Sequence, residues 1–327
     1  MISEIAASAP GKVLLSGEYA VLDGATAICM AVDRRARAVV AHASGDISRV
    51  TASGYKNASG CFRSTDGRIE WQNGQATFRV VDSVWRVSGA GREGARAINL
   101  DTTEFIDSVT QCKIGIGSSS AITVALCAAV NNSADIAALT MIAQRAHADL
   151  QEGAGSGVDI ACSLHGGLIE YRIKGASVTA LQWPEGLSYR LIWTGVAAST
   201  REKLAKLAAG VSKPSRVRLA CASEDMAIAW RSGAAKEIVA AYREYGEHLH
   251  QFSVDHDLGI FDAGHDELWQ AASSAGLGYK PCGAGGGDIG ILLGMDDVEL
   301  DVFTGTLSQP YSVLDCELSP AGVRIGA

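Results

Sequence analysis

Apolar residues along the chain follow one rhythm at first and a different one later. Val13-Leu14-Leu15 follows a break at Gly11, and residues 28–41 are mainly apolar and β-branched around Asp33-Arg34-Arg35. Such runs predict extended strands. Residues 50–53, 69–71 and 76–81 predict short strands separated by Gly, Asn and Asp turns. Residues 88–96 are glycine-rich and read as a loop or a helix start. From residue 118 the period lengthens. Helices are predicted over 118–130, 134–151 and 158–164. The middle one carries Ile136, Leu139, Met141, Ile142, Ala146 and Leu150 near i, i+3, i+4 spacing, with Ser133 available as its cap. Strands return at 168–173 and 189–194. Helices follow over 200–209, 215–232, 234–252 and 262–275, then a glycine loop at 283–287, a strand at 289–293 and a final strand pair. Strands, then helices, then strands again predict an α+β protein of two lobes. A composition shift near 174–183 divides it into residues 1–180 and 181–327.

Composition narrows the function classes. The 327 residues are 47% hydrophobic with 37 Gly and 6 Pro, which describes a compact globular chain. The formal net charge is -8 and no Lys/Arg run occurs, which argues against nucleic acid as a partner. The sequence has no secretory leader pattern and no 18-residue apolar span, so a cytoplasmic protein without a membrane anchor is expected. Eight scattered cysteines form no C-x-x-C pair and read as buried free thiols rather than disulfides. An acidic chain that binds an anion must do so locally, with loops and a few placed cations.

Three glycine-rich segments offer such loops. Ala9-Pro10-Gly11-Lys12 runs into Gly17-Glu18-Tyr19; Gly115-Ile116-Gly117 leads to Ser118, Ser119 and Ser120; Lys280-Pro281-Cys282 leads into Gly283–Gly287 and Asp288. None is a G-x-x-x-x-G-K-[S/T] loop, and the G-x-G-x-x-G pattern fails at Ser120. The middle segment is a tight turn followed by an apolar helix, whose unpaired N–H groups and dipole favour an anion. A serine-capped loop is the plainer alternative.

In order and spacing these segments resemble the three signature motifs of the GHMP small-molecule kinases. Within that superfamily they look most like the phosphomevalonate kinase family. The similarity rests on residues 9–22, on Ala146-His147 with Gly155–Ala161, on Trp193-Thr194-Gly195 with Ser199-Thr200, and on the GAGGGD run ending at Asp288. Mevalonate kinases usually carry His in place of Tyr19 and tend to have Gly in place of Asp288. The resemblance implies a two-lobed GHMP fold: a ribosomal protein S5 domain 2-like lobe, then a ferredoxin-like α/β lobe. It implies ATP and Mg2+ as cofactors, 5-phosphomevalonate as acceptor, and a monomer or homodimer. By motif match Gly115, Gly117, Ser118, Ser119 and Ser120 hold the nucleotide phosphates, with Ser119 on the metal side. Lys12 and Asp159 sit where the phosphoryl group moves. Tyr19, Ser156, Gly157, Ser199, Gly283, Ala284 and Gly285 surround the acceptor. Cys282 stands where the family often has Ser or Thr, and Ala148 stands where mevalonate kinases carry a magnesium-binding Glu. Asp149 and Glu152 are the nearby carboxylates.

Each residue also has a plainer account. Lys12 could be a surface lysine, although it precedes an apolar strand. Asp159 could be a first-turn acid favoured by the helix dipole, or a base, or an anchor for Lys12. A phosphate acceptor is already mostly dianionic at neutral pH, with a second pKa of about 6, and has little need of a base. His147 fits a satisfied core histidine better than a catalytic one. Tyr19 is either a substrate contact or a core aromatic, and Asp288 a turn cap or a substrate contact. Lys280, Arg201 and Lys203 lie near motifs and are candidate cations for the acceptor phosphate. The alternatives are a mevalonate kinase acting on the alcohol of mevalonate, a decarboxylase of the same superfamily, and a non-catalytic sensor of ATP or isoprenoid precursors.

Overall fold

The computed structural model describes residues 4–54, 57–65, 68–88, 94–151, 153, 155–198, 200–209 and 213–326, with residues 200–202 and 208–209 described by backbone alone. Ser199, Glu152 and most of the glycine-rich stretch at 88–96 lie outside them.

The first half is a sheet with helices packed on it. In chain order it comprises β1 (Glu4–Ser16), β2 (Ala27–His42), β3 (Ser48–Ser53), β4 (Ala58–Thr65), β5 (Arg68–Asn73), α1 (Arg79–Ser88), β6 (Arg96–Asp101), α2 (Ser118–Asn131), α3 (Ile136–Leu150), α4 (Val158–His165), β7 (Leu168–Arg172) and β8 (Ser177–Leu181). The second half comprises β9 (Ser188–Trp193), α5 (Thr200–Ala209), α6 (Pro214–Ser232), α7 (Ala235–Asp255), α8 (His265–Ser274), β10 (Gly278–Pro281), β11 (Ile289–Gly294), α9 (Asp297–Gly305), β12 (Ser312–Leu314) and β13 (Arg324–Ile325). The larger sheet runs β13-β1-β2-β6-β3-β4-β5, with β7 and β8 continuing from β2. The smaller one runs β10-β11-β9-β12 and is antiparallel throughout. The α+β class and two-lobed arrangement agree with the sequence pattern.

Helix α2 packs on β1 and β2, and every residue from Ser120 to Ala129 is buried. A helix apolar on all sides must sit inside, and this one forms the floor beneath the middle glycine segment. Helix α3 packs on α2 and presents Leu139, Ala143, Ala146 and His147 inward.

Three local predictions are corrected. Residues 76–81 read as a strand, yet the chain turns at Phe78 and enters α1. There Val81, Val84 and Trp85 are buried at helical spacing against α2 and α3, and tertiary packing overrides β-branched propensity. The cap of α3 is Asp135, whose carboxylate accepts from the Ala137 N–H; Ser133 instead accepts from the Asp135 N–H at 3.1 Å. Finally, the chain end is not a strand pair. Asp296 caps α9, β12 joins β9 of the small sheet, and β13 crosses back to β1 of the large one. All eight cysteines are free, and Cys29, Cys127, Cys162, Cys282 and Cys316 are buried.

Candidate active site

The first glycine segment lies within β1. The β1–β2 register slips between Pro10 and Gly11, so that Pro10 faces Arg35 while Gly11 faces Val32. Such a bulge bends a strand and re-aims the next side chain, which here is Lys12. A Cβ on Gly11 would meet the Ile116 carbonyl oxygen at 2.6 Å, and the Lys12 N–H donates to that same oxygen at 2.8 Å. Strand β1 is thereby fastened to the middle glycine turn.

That turn is held by close approach on two sides. Gly117 has φ +84°, and a Cβ there would press on the Lys12 stem at 2.9 Å. Gly115 has φ +91°, and a Cβ there would lie 2.3 Å from the Asp288 side chain. Only glycine satisfies both the left-handed backbone and the contact. Gly117 is also the N-cap of α2 and offers no side chain to the helix N–H groups. Ser118 and Ser119 line the cavity beside it, while the Ser120 hydroxyl donates back to the Gly117 carbonyl at 2.9 Å. Of the three serines, Ser120 has its hydroxyl committed within the loop.

Asp159 reaches Lys12 from the opposite side. It lies in the first turn of α4, whose N-cap is Gly157 at φ +83°. Its Oδ1 stands 3.2 Å from Lys12 Nζ, with the side chains 12% and 28% exposed respectively. Burial acts to lower the Lys12 pKa, but Asp159, together with Cys29 and Cys282, more than offsets it, and the amine is held above the usual lysine range. Two cavities share this pair in their wall. One contains the middle segment with Ser118, Ser119 and Asp288; the other contains Tyr19, Ser156, Gly157 and Leu204. Gly283 and Ala284 border both.

The remaining sequence candidates are placed as follows. Tyr19, at φ +59°, donates its hydroxyl to the Ala284 carbonyl at 2.7 Å and so ties the first glycine segment to the third. The Ser156 hydroxyl accepts from the Val158 N–H at 3.4 Å, and Ser156 O accepts from Tyr171. A Cβ on Gly285 would collide with Ile260, so that glycine backs onto the lobe interior. Asp288 accepts from the Ala198 N–H at 3.1 Å, and burial raises its carboxyl above the ordinary range. Lys280 is not a free cation. It is fully buried, paired with Glu18, and donates to the carbonyls of Leu14 and Pro281 at 3.1 Å each. Lys203 donates to the carbonyls of Leu258 and Gly259 at 2.8 and 2.7 Å. Asp149 is taken by Arg86 at 2.6 Å on the outer face of α3. Among the described residues no group of three or more His, Cys, Asp or Glu could hold a metal ion.

Two residues matter more here than the sequence suggested. His147 is buried, but its ring lines both cavities and lies 3.4 Å from Ser119 Oγ. His265, fully buried in α8, holds the third glycine segment: its Nε2 lies 2.9 Å from the Gly287 carbonyl and its Nδ1 2.7 Å from the Tyr279 hydroxyl. Gly287 O can only accept, so Nε2 carries the proton and Nδ1 accepts from Tyr279. Burial lowers this imidazole pKa to about 4. His265 follows a Gly-rich turn in the sequence, and nothing local marks its long-range role.

A glycine-turn helix start facing a lysine–aspartate pair and a second cavity can hold a polyphosphate beside a second ligand. The comparisons with known proteins agree. Residues 82–167 match the family described as GHMP kinases N terminal domain. Phosphomevalonate kinase from a Streptomyces species is 30% identical over 87% of this chain and 88% of its own length. Mevalonate kinase from Pyrococcus horikoshii is 27% identical over 88% of each. In fold, the chain is similar to Streptococcus pneumoniae phosphomevalonate kinase solved with phosphomevalonate and AMPPNP. The TM-score is 0.75 and the identity 17%, covering 94% of this chain and 99% of that one. The protein belongs to the GHMP kinase family, among the kinases of the mevalonate pathway.

Proposed function

We propose that the protein transfers the γ-phosphoryl group of ATP to the phosphate of 5-phosphomevalonate, giving 5-diphosphomevalonate and ADP. The observation that carries this proposal is the Lys12–Asp159 pair in the wall shared by two cavities. One cavity begins at a helix start without a side-chain cap, which suits a polyphosphate. The other suits the acceptor. Gly115, Gly117, Ser118 and Ser119 would border the nucleotide phosphates, with Ser120 contributing backbone. Tyr19, Ser156, Gly157, Gly283 and Ala284 would border the acceptor. The Ser119 hydroxyl would stand on the metal side. Magnesium commonly keeps waters and phosphate oxygens as its other ligands, and when bound it supplies further charge neutralisation.

Phosphoryl transfer depends on positioning and charge stabilisation. Lys12 brings a compact, fully charged ammonium to the transferring group. Asp159 holds that ammonium in place. With a phosphate acceptor no strong base is required, because the attacking oxygen is already ionised at neutral pH.

Mevalonate as acceptor is the second possibility, favoured by mevalonate kinases 26–27% identical over most of this chain. An acceptor panel with ATP and magnesium, followed by phosphorus NMR, separates the two. A diphosphate signal from 5-phosphomevalonate is expected; phosphorylation of mevalonate alone would overturn the proposal.

A further inference from the structure

We propose that His147 is a positioning residue for the nucleotide loop. Its imidazole fixes the Ser119 hydroxyl and so couples that loop to the Lys12–Asp159 pair; this rests on assigning the Ser118–Ser119 cavity to the nucleotide. His147 sits on the inner face of α3, 3% exposed. A structural histidine at such a depth would normally bond another buried group. Its partner here is instead the hydroxyl of Ser119, an exposed residue in the first turn of α2, at 3.4 Å. The ring also borders the Tyr19 cavity and a third cavity between α3 and Tyr171, so it touches every compartment of the site.

The charges acting on the ring are Asp159 from α4 and Lys12 from β1; of the charged groups of α1, which also packs on α3, Arg86 pairs with Asp149 on the outer face of α3 and Asp82 accepts from the Trp71 indole. The ring is buried, and its Nε2 lies 3.4 Å from Ser119 Oγ. A neutral imidazole has one nitrogen that accepts. With Nε2 accepting the serine O–H, the lone pairs of Ser119 Oγ are left for the cavity. The hydroxyl is then oriented before nucleotide arrives, which removes an ordering cost from binding.

The test is calorimetric binding of AMPPNP with magnesium and no acceptor. The proteins are the wild type, His147→Leu, His147→Gln, Ser119→Ala and the double variant His147→Leu/Ser119→Ala. A lost neutral hydrogen bond is expected to weaken binding roughly five- to tenfold in His147→Leu. Ser119→Ala should weaken it comparably, and the double variant should bind like Ser119→Ala. Glutamine, which can present a polar atom near the Nε2 position, should restore most of the affinity. If His147→Leu does not fold, His147→Asn replaces it, because its amide is too short to reach Ser119. Wild-type affinity in the leucine or asparagine variant would overturn the inference, as would losses that add in the double variant. A wild-type protein that binds no AMPPNP would overturn the nucleotide assignment itself, a distinguishable failure.

Discussion

Two lysine–carboxylate pairs lie beside the glycine segments, and they differ in what surrounds them. Lys280 and Glu18 are both fully buried. Their side chains bond inside the protein: Leu14 and Pro281 carbonyls accept from the lysine, and Tyr245 donates to Glu18 Oε2 at 2.9 Å. The lysine also lies 5.7 Å from the centre of the Tyr242 ring. Lys12 and Asp159 form a similar pair at 3.2 Å, yet they stand in a cavity wall and remain partly exposed. A saturated pair has no capacity left for a ligand and serves to join β1, α7 and β10. An open pair keeps donor capacity for one. Burial alone does not distinguish a functional cation from a structural one; what remains unsatisfied does.

The sharpest way to break this comparison is to unpair the sealed site. Glu18→Ala leaves a buried ammonium without its counter-charge and should cost about 3–5 kcal/mol of stability. Urea unfolding measures it, and an unchanged midpoint would show that the pair is not structural. Lys12→Met should do the reverse. Turnover should fall on the order of 10²- to 10³-fold, as for loss of one electrostatic contact in a transition state, while the unfolding midpoint moves little. A destabilised but active Lys12→Met protein would put Lys12 in the structural class.

His265 sharpens the sealed side through pH. Its folded pKa of about 4 lies below the ordinary histidine value of 6.5. Between those values the unfolded chain binds more protons than the folded one. Its contribution is therefore complete above pH 6.5 and is lost as pH falls towards 4, by about 3 kcal/mol at most. His265→Gln should flatten that part of the stability–pH curve, and an unaltered slope would remove His265 as its source. The smallest effect is expected from Asp159→Asn. If the acceptor is a phosphate and Asp159 only anchors Lys12, turnover should drop less than about tenfold. Complete loss, with Lys12 in place, would instead make Asp159 a base and favour an alcohol acceptor.

Tyr19 and Asp288, the residues that separated the two kinase families in sequence, both bind within the protein. Tyr19 closes on Ala284, and Asp288 packs beneath Gly115 and bonds Ala198.

What the sequence determined by itself was local. The glycine turn at 115–117 followed by an apolar helix, the periodic helices α3, α6 and α7, and the long β2 all follow from near-neighbour periodicity and backbone freedom, which are written in consecutive residues. Lys12 and Asp159 stood out as candidates for the same local reason, since one follows Gly11 and the other lies two positions after Gly157. Tertiary structure decided what depends on distant partners. Phe78 to Trp85 became a helix because a packed face waited on α2 and α3. Lys280 was removed from the binding candidates by a glutamate 262 positions away. His147 came into the site because α3 lays it against Ser119, 28 positions distant. Strand β13 returned to β1 across nearly the whole chain. Charge satisfaction and packing are properties of surroundings, and for these residues the surroundings exist only once the chain has folded.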